Sequence, residues 1–180
     1  MVKTTKHAQD APPESILEVT DSAGKTLLHM PQGLVMRQKL RHRAVLVCLR
    51  NTHGHIFLFR SSTVLPGTQG NVWAPAVFGR VLAGESRYAA AHRLLEKELG
   101  ISGLELFERG TFIPEATEHA GNVAVTFFLT AKTSAIPRLA ASEAQDGMFV
   151  DREEFRAIMR DYPHMLTPFW NRAMPYFFAS

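Results

Sequence analysis

The chain has one cysteine in 180 residues, Cys48, so no internal disulfide can form. Its place in the apolar run Val45 to Leu49 reads as a buried thiol. No apolar stretch approaches the roughly 20 residues of a membrane span. The opening MVKTTKHAQDAPPES lacks the apolar core of a signal peptide. These absences lead to the expectation of a cytoplasmic protein with no membrane partner. Eight histidines occur without a His-x3-His or Cys-x2-Cys arrangement, which leaves no zinc signature. Neither sign of charge is much in excess: 20 Lys and Arg against 17 Asp and Glu give a formal +3. The basic residues are scattered rather than striped, so nucleic acid is not an expected partner. No internal repeat or low-complexity tract is visible.

What is present suits one domain. Hydrophobic residues make up 46% of the chain, enough for a sizeable core at this length. Residues 1–14, polar and carrying Pro12-Pro13, are expected to form a disordered leader, and 15–180 the domain. Ile16–Val19 and Lys25–His29 read as a hairpin turning through Asp21-Ser22-Ala23-Gly24. Pro31 to Leu40 is a connector with room for a helical turn. Strands are expected at Ala44–Leu49, Ile56–Arg60, Ala74–Gly79, Leu104–Ile113, Val123–Ala131 and Met148–Val150. A loop over 61–72, rich in Gly, Ser and Thr, has the length of a functional loop. Arg87–Leu99 is rich in helix formers, with apolar Ala90, Leu94 and Leu95 at helical spacing. Asp151 is placed to cap a helix over Arg152–Arg160, and a terminal helix is expected from Pro168, just after Thr167. Phe127-Phe128 and Phe177-Phe178 are most simply core. The class is α/β, a mixed sheet with helices on its faces.

The chemistry concentrates in Gly79 to Ile101, GRVLAGESRYAAAHRLLEKELGI. Glu85-Ser86 sits where a loop enters the helix, and Gly100 suits the exit. Positions 94, 97 and 98 are i, i+3 and i+4 and are expected to share one face. Three carboxylates there would make an oxygen cluster suited to Mg²⁺. Leu94 and Lys97 leave Glu98 alone. At about 6 Å and an effective dielectric near 20, Lys97 would repel each unit charge of a metal by roughly 3 kcal/mol. A flexible stem that swings outward would relieve this. Arg93, on a neighbouring face, is placed to pair with Glu85 and tie loop to helix.

Gly79-x5-Glu85-x7-Arg93, followed by Leu95, Glu98, Gly100 and Ile101, has the spacing of the Nudix box. That box is written G-x5-E-x7-R-E-U-x-E-E-x-G-U, with U a bulky aliphatic residue. Chance would give such an incomplete match in roughly one chain in a hundred, so the surroundings matter. In order they are LRHRA (40–44), IFLFRSS (56–62), Leu65-Pro66-Gly67, Trp73, the box, and Thr167-Pro168-Phe169-Trp170. This order resembles the Nudix branch similar to isopentenyl diphosphate isomerase, and within it the bacterial hydrolases rather than the isomerase. The resemblance spans residues 16 to 175 and implies the Nudix fold, an α/β/α sandwich with a mixed sheet. The isomerase's catalytic Cys and a metal-binding His fall at Phe78 and Arg80. Its later pair of metal-binding Glu residues falls near Gly121 and Val123. Isomerase activity is therefore not expected, and His42, which matches another of its metal histidines, is left as a structural residue.

The resemblance implies a Nudix hydrolase cleaving a diphosphate linkage in a nucleoside-diphosphate-type small molecule. The chemistry would be metal-assisted attack of water on phosphorus, with Mg²⁺ or Mn²⁺. The alternative is a catalytically weak or inactive Nudix domain that binds a phosphorylated ligand. Glu98 is the expected metal ligand and, with Glu118 and Glu143, a catalytic candidate. Nudix hydrolases often take their general base from outside the box, and Glu115, Glu118 and His119 lie in one polar turn. That turn reads more simply as a solvated loop. Gly79, Glu85, Arg93 and Gly100 are expected to be architectural. Arg80, Arg60 and Lys97 are the candidates for holding phosphate. With one box carboxylate left, metal is expected to bind weakly until substrate phosphates join it. A structural or partner-binding role for the aromatic terminal helix rests on apolar content alone.

Overall fold

The computed structural model describes residues 14–61, 72–74, 77–113, 122–139, 144–166 and 176–177. Its organising element is β3 (His42–Asn51), in which Ala44 to Leu49 are all at most 1% exposed. A run without polar alternation has no solvent face, so it belongs inside a sheet covered on both sides. β3 runs parallel to β8 (Val123–Thr133), from His42↔Val123 to Asn51↔Thr133. Its other edge is shared. Ala44–Val47 pair antiparallel with β6 (Val77–Arg80), and Arg50 meets Ile56 at the start of β4 (Ile56–Ser61). β4 also carries β5 (Val72–Ala74) and β9 (Ala144–Val150), and β7 (Leu106–Phe112) lies along β8. One parallel pairing among antiparallel ones makes this the mixed sheet expected.

Successive strand residues face opposite ways, and the two faces build two core layers. Ala44, Leu46 and Cys48 join Val125, Phe127 and Leu129 beneath Phe155 of α3 (Arg152–Asp161) and Phe177. Val45, Val47 and Leu49 join Phe128 and Leu106 beneath α2 (Arg87–Leu99). The result is an α/β/α sandwich. Cys48 is fully buried, and that burial pushes its thiol pKa up, as an inert core thiol requires. A smaller hairpin, β1 (Ile16–Thr20) with β2 (Thr26–Pro31), forms its own two-stranded sheet. It packs Leu17 and Val19 on Val35 of α1 (Gln32–Arg37).

Two strands depart from the sequence reading. The single strand expected over Ala74–Gly79 is two, β5 on β4 and β6 on β3. Pro75 lies between them and has no N–H to give a ladder. β9 begins at Ala144 rather than Met148, because β4 supplies a pairing template for residues with no apolar pattern of their own, Asp146 and Gly147 among them. Glu14 apart, the expected leader lies outside the described residues, as do most of the 61–72 loop and the start of the expected terminal helix. Tyr176 and Phe177 are helical.

α3 opens on a reciprocal cap. Asp151 Oδ1 accepts the Glu153 and Glu154 amides at 2.8 Å each, and Glu154 Oε2 accepts the Asp151 amide at 2.8 Å. Asp151→Ala should lower stability by about 1 kcal/mol. The expected observation is a lower urea midpoint at unchanged m value.

Candidate active site

β6 ends at Arg80, and residues 81–86 carry the chain into α2. The helix starts where Ser86 Oγ accepts the Ala89 amide at 3.0 Å. It stops at Gly100, whose φ of +64° is inexpensive only without a Cβ. Ala90, Ala91, Leu94, Leu95 and Leu99 form its buried stripe against the sheet. Glu85 and Arg93 meet as their spacing suggested. Arg93 Nε donates to Glu85 Oε1 at 2.7 Å and Nη2 to Oε2 at 2.9 Å. The same Nη2 donates to the Arg80 carbonyl at 3.0 Å, and Glu85 Oε2 also accepts the Leu82 amide at 3.0 Å. One planar fork thus joins strand, loop and helix.

The titration of this pair follows from its contacts. Partial burial alone would raise the Glu85 carboxyl. Hydrogen bonds from Arg93 and the Leu82 amide, with the Arg93 charge, outweigh it and hold the pKa below the ordinary glutamate value. The same carboxylate pushes the Arg93 guanidinium up. The loop has a second brace that the sequence did not signal. Glu18 of β1 accepts the Gly84 amide on Oε1 at 3.0 Å, and its Oε2 takes the Thr26 hydroxyl and Arg43 Nη2. Glu18 and Gly84 are 66 residues apart, so only the docking of the hairpin beside the sheet brings them together.

The three positions expected to share a face diverge. Leu94 is 5% exposed and packs beneath α2, its methyls filling the space over Gly79. A Cβ on Gly79 would lie 2.4 Å from Leu94 Cδ2. The helical step accounts for this. With Leu94 aimed at the sheet, position 98 is turned about 40° one way and position 97 about 60° the other. The Glu98 side chain is accordingly 19% exposed and that of Lys97 61%. Nor does Lys97 swing outward. Its Nζ lies 2.9 Å from Glu98 Oε1, where it neutralises the one carboxylate left.

This donor set does not by itself suit Mg²⁺ or Mn²⁺, hard ions that want several oxygens and at least one free carboxylate. Among the described residues no three His, Cys, Asp or Glu side chains come together. Glu115, Glu118, His119 and Glu143 lie outside the described residues.

The phosphate candidates are also divided. Gly79 faces α2, so Arg80 faces the other way. Its Nε reaches Met36 Sδ of α1 at 3.1 Å, and burial pushes its guanidinium pKa down. His42 shares that face, 2% exposed, with Nδ1 3.0 Å from the Leu40 carbonyl. Burial and the Arg80 charge push its pKa down against the pull of that carbonyl. A neutral, buried ring bonded to backbone fits a structural residue. Arg60 of β4 lies in step with Leu58 on this same face, its Nη1 4.0 Å from Asp146 Oδ2 and its guanidinium 6.0 Å from the Trp73 ring. Arg60 and Arg80 therefore share the face opposite α2, whereas Lys97 rides on α2 itself.

Glu85→Gln should cost about 1.5–3 kcal/mol at neutral pH, the range for hydrogen bonds to a charged group. Because the folded pKa of Glu85 is depressed, its contribution is complete above the unfolded value near 4.5 and is lost as pH falls through the folded value. Urea titrations of both proteins should show their stability difference shrinking as pH drops below about 4.5.

This geometry has relatives. The family described as NUDIX domain matches residues 40–168. An uncharacterized Nudix hydrolase of Pseudomonas aeruginosa is 32% identical over 142 residues, covering 74% of this chain and 80% of that protein. Among solved structures, the Deinococcus radiodurans protein DR0079 superposes with a TM-score of 0.71 at 17% identity, covering 91% of this chain and 99% of its own. The NUDIX domain of Shewanella oneidensis NrtR, complexed with ADP ribose, does so with a TM-score of 0.57 at 12% identity, covering 81% and 94%. At such identities the two structures speak for the fold. The family match, which spans well over half of the residues, settles membership: the chain belongs to the NUDIX domain family.

Proposed function

We propose that this chain is a Nudix hydrolase acting on a diphosphate linkage in a nucleoside-diphosphate-type small molecule. The observation that carries the reading is the intact joint between Glu85, Arg93 and the Arg80 carbonyl. A helix that only packs against a sheet has no need of a bidentate ion pair and a backbone tether. That joint sets where Glu98 stands relative to β6. Nudix hydrolases generally use a divalent metal ion, which stabilises charge on phosphoryl oxygens when bound. Glu98 does not hold one alone, so the hydrolytic reading calls on carboxylates outside the described residues, with Glu118 and Glu143 as candidates. Arg80 has no carboxylate partner among the described residues, so its guanidinium is available to phosphate, and Arg60 beside Trp73 offers a cation next to an aromatic surface. The ADP ribose held by the NrtR domain is a ligand of the proposed class.

One observation favours a second reading. The ion pair between Lys97 and Glu98 replaces a metal's charge with an ammonium. This suits a catalytically weak or inactive domain that binds a phosphorylated ligand. The two readings separate when nucleoside diphosphate derivatives are screened for turnover with Mg²⁺ or Mn²⁺, and for thermal stabilisation without metal. Hydrolysis that falls about a hundredfold or more in Glu98→Gln supports the enzyme. Metal-free stabilisation with no turnover supports the binding domain, and silence in both screens rejects both.

The divergent helix positions give a further expectation. Lys97→Glu removes a repelling charge and adds a ligand beside Glu98, and should tighten Mg²⁺ binding by roughly tenfold or more in calorimetry. Leu94→Glu instead places a carboxylate in the core layer under α2. It should cost about 2–5 kcal/mol in denaturant unfolding.

A further inference from the structure

A cavity of about 380 Å³ opens on the α2 face of the sheet, at the end where β3 and β8 begin. The turn between β1 and β2 forms its rim, and the first residue of α2 closes one side. Three arginines line it: Arg41 just before β3, Arg43 within β3, and Arg87 at the start of α2. Strand alternation explains the convergence. Arg43 lies two residues before Val45, and Thr126 two before Phe128, so both face α2 beyond the end of the apolar layer. Thr111 sits opposite Thr126 in the ladder, their hydroxyls 3.0 Å apart.

The commitments of these groups are unequal. Arg87 Nη1 pairs with Glu108 Oε1 at 3.2 Å and comes within 3.5 Å of Thr126 Oγ1. Arg43 Nη2 is held by Glu18 and the Thr26 hydroxyl. The Arg41 side chain has no ion pair or hydrogen bond among the described residues. Thr20 Oγ1, Arg41 Nε and Arg43 Nε are all buried without a hydrogen-bond partner among the described residues. Thr20 is 3% exposed. Leaving a buried polar atom unpaired costs about 1–3 kcal/mol, and all three belong to residues that line this one cavity. Glu18 and Glu108 are already engaged, which leaves a cationic excess. The amino-terminal end of α2 adds its own positive field.

We propose that this cavity is a second, phosphate-binding site, taking the phosphoryl group of a small phosphorylated molecule or free phosphate through Arg41, Arg43 and the Thr20 hydroxyl. It is separate from Glu98: Arg87 and Glu98 are eleven positions apart on α2, roughly 16 Å along the helix. It is nonetheless in touch with the box loop, because the Glu18 carboxylate that holds Arg43 also holds the Gly84 amide.

The test is calorimetry and thermal shift with inorganic phosphate and with glycerol 3-phosphate, against chloride at matched ionic strength. Saturable binding is expected. Arg41→Ala should weaken it by roughly tenfold or more without lowering the stability of the unliganded protein. Thr20→Val should weaken it too, while leaving the unliganded melting temperature unchanged or higher, since it removes an unpaired hydroxyl. Glu98→Gln should leave this binding unaltered even if hydrolysis is lost, so the site and the proposed activity fail separately. Tighter binding of the monoester identifies a phosphorylated metabolite as the source, and equal affinity identifies free phosphate. No saturable binding above the chloride control, undiminished binding in Arg41→Ala, or its loss in Glu98→Gln overturns the proposal.

Discussion

The Arg93 guanidinium holds three pieces of chain in one geometry: the end of β6 through the Arg80 carbonyl, the connecting loop through Glu85, and α2 on which it rides. A planar fork satisfies a carboxylate and a carbonyl at once only if strand and helix keep a fixed offset. Packing enforces the same offset from the other side, because Leu94 lies so close over Gly79 that any side chain there would have to displace it. Electrostatics and sterics therefore fix one joint twice. The helix ends, Ser86 and Gly100, then set how much of α2 projects beyond it.

The joint and the acid cluster of a Nudix box are physically separable, and this chain separates them. Glu85, Arg93, Gly79 and Gly100 make the shape, and none of them has to bind a metal to do so. The acids at 94, 97 and 98 would make the charge. Here position 94 has joined the core, where an apolar side chain gains by burial. Position 97 has become the counter-ion of position 98. The helix keeps its place while Lys97 cancels the charge of Glu98, and that tension separates a hydrolase from a binding domain.

The sheet gives each face different work. Neighbours on one strand, Gly79 and Arg80 or His42 and Arg43, serve opposite faces. Arg80, His42 and Arg60 lie on the α3 side, with Trp73 nearby. Arg43 and Thr126 lie on the α2 side, where the apolar layer stops and the cationic cavity begins. One sheet thus carries two polar surfaces, joined at the edge by Glu18 and the box loop.

The sequence by itself determined whatever depends on near neighbours. The hairpin at Asp21 to Gly24, the limits of α2 at Ser86 and Gly100, the Asp151 cap and the Glu85–Arg93 pair were legible, because capping, turn sterics and helical spacing act over a few residues. The buried run of β3 was legible too, since a strand with no polar side has nowhere to go but inside. Tertiary structure alone decided the rest. The rotation that sends Leu94 inward and leaves Lys97 to fold back on Glu98 depends on which face of α2 the sheet accepts. The split of β5 from β6 and the early start of β9 depend on which strand lies alongside. The union of Thr20, Arg41, Arg43 and Arg87 around one cavity needs the register of β3 with β8 and the docking of the first hairpin. Long-range pairing sets these, and no local pattern encodes it.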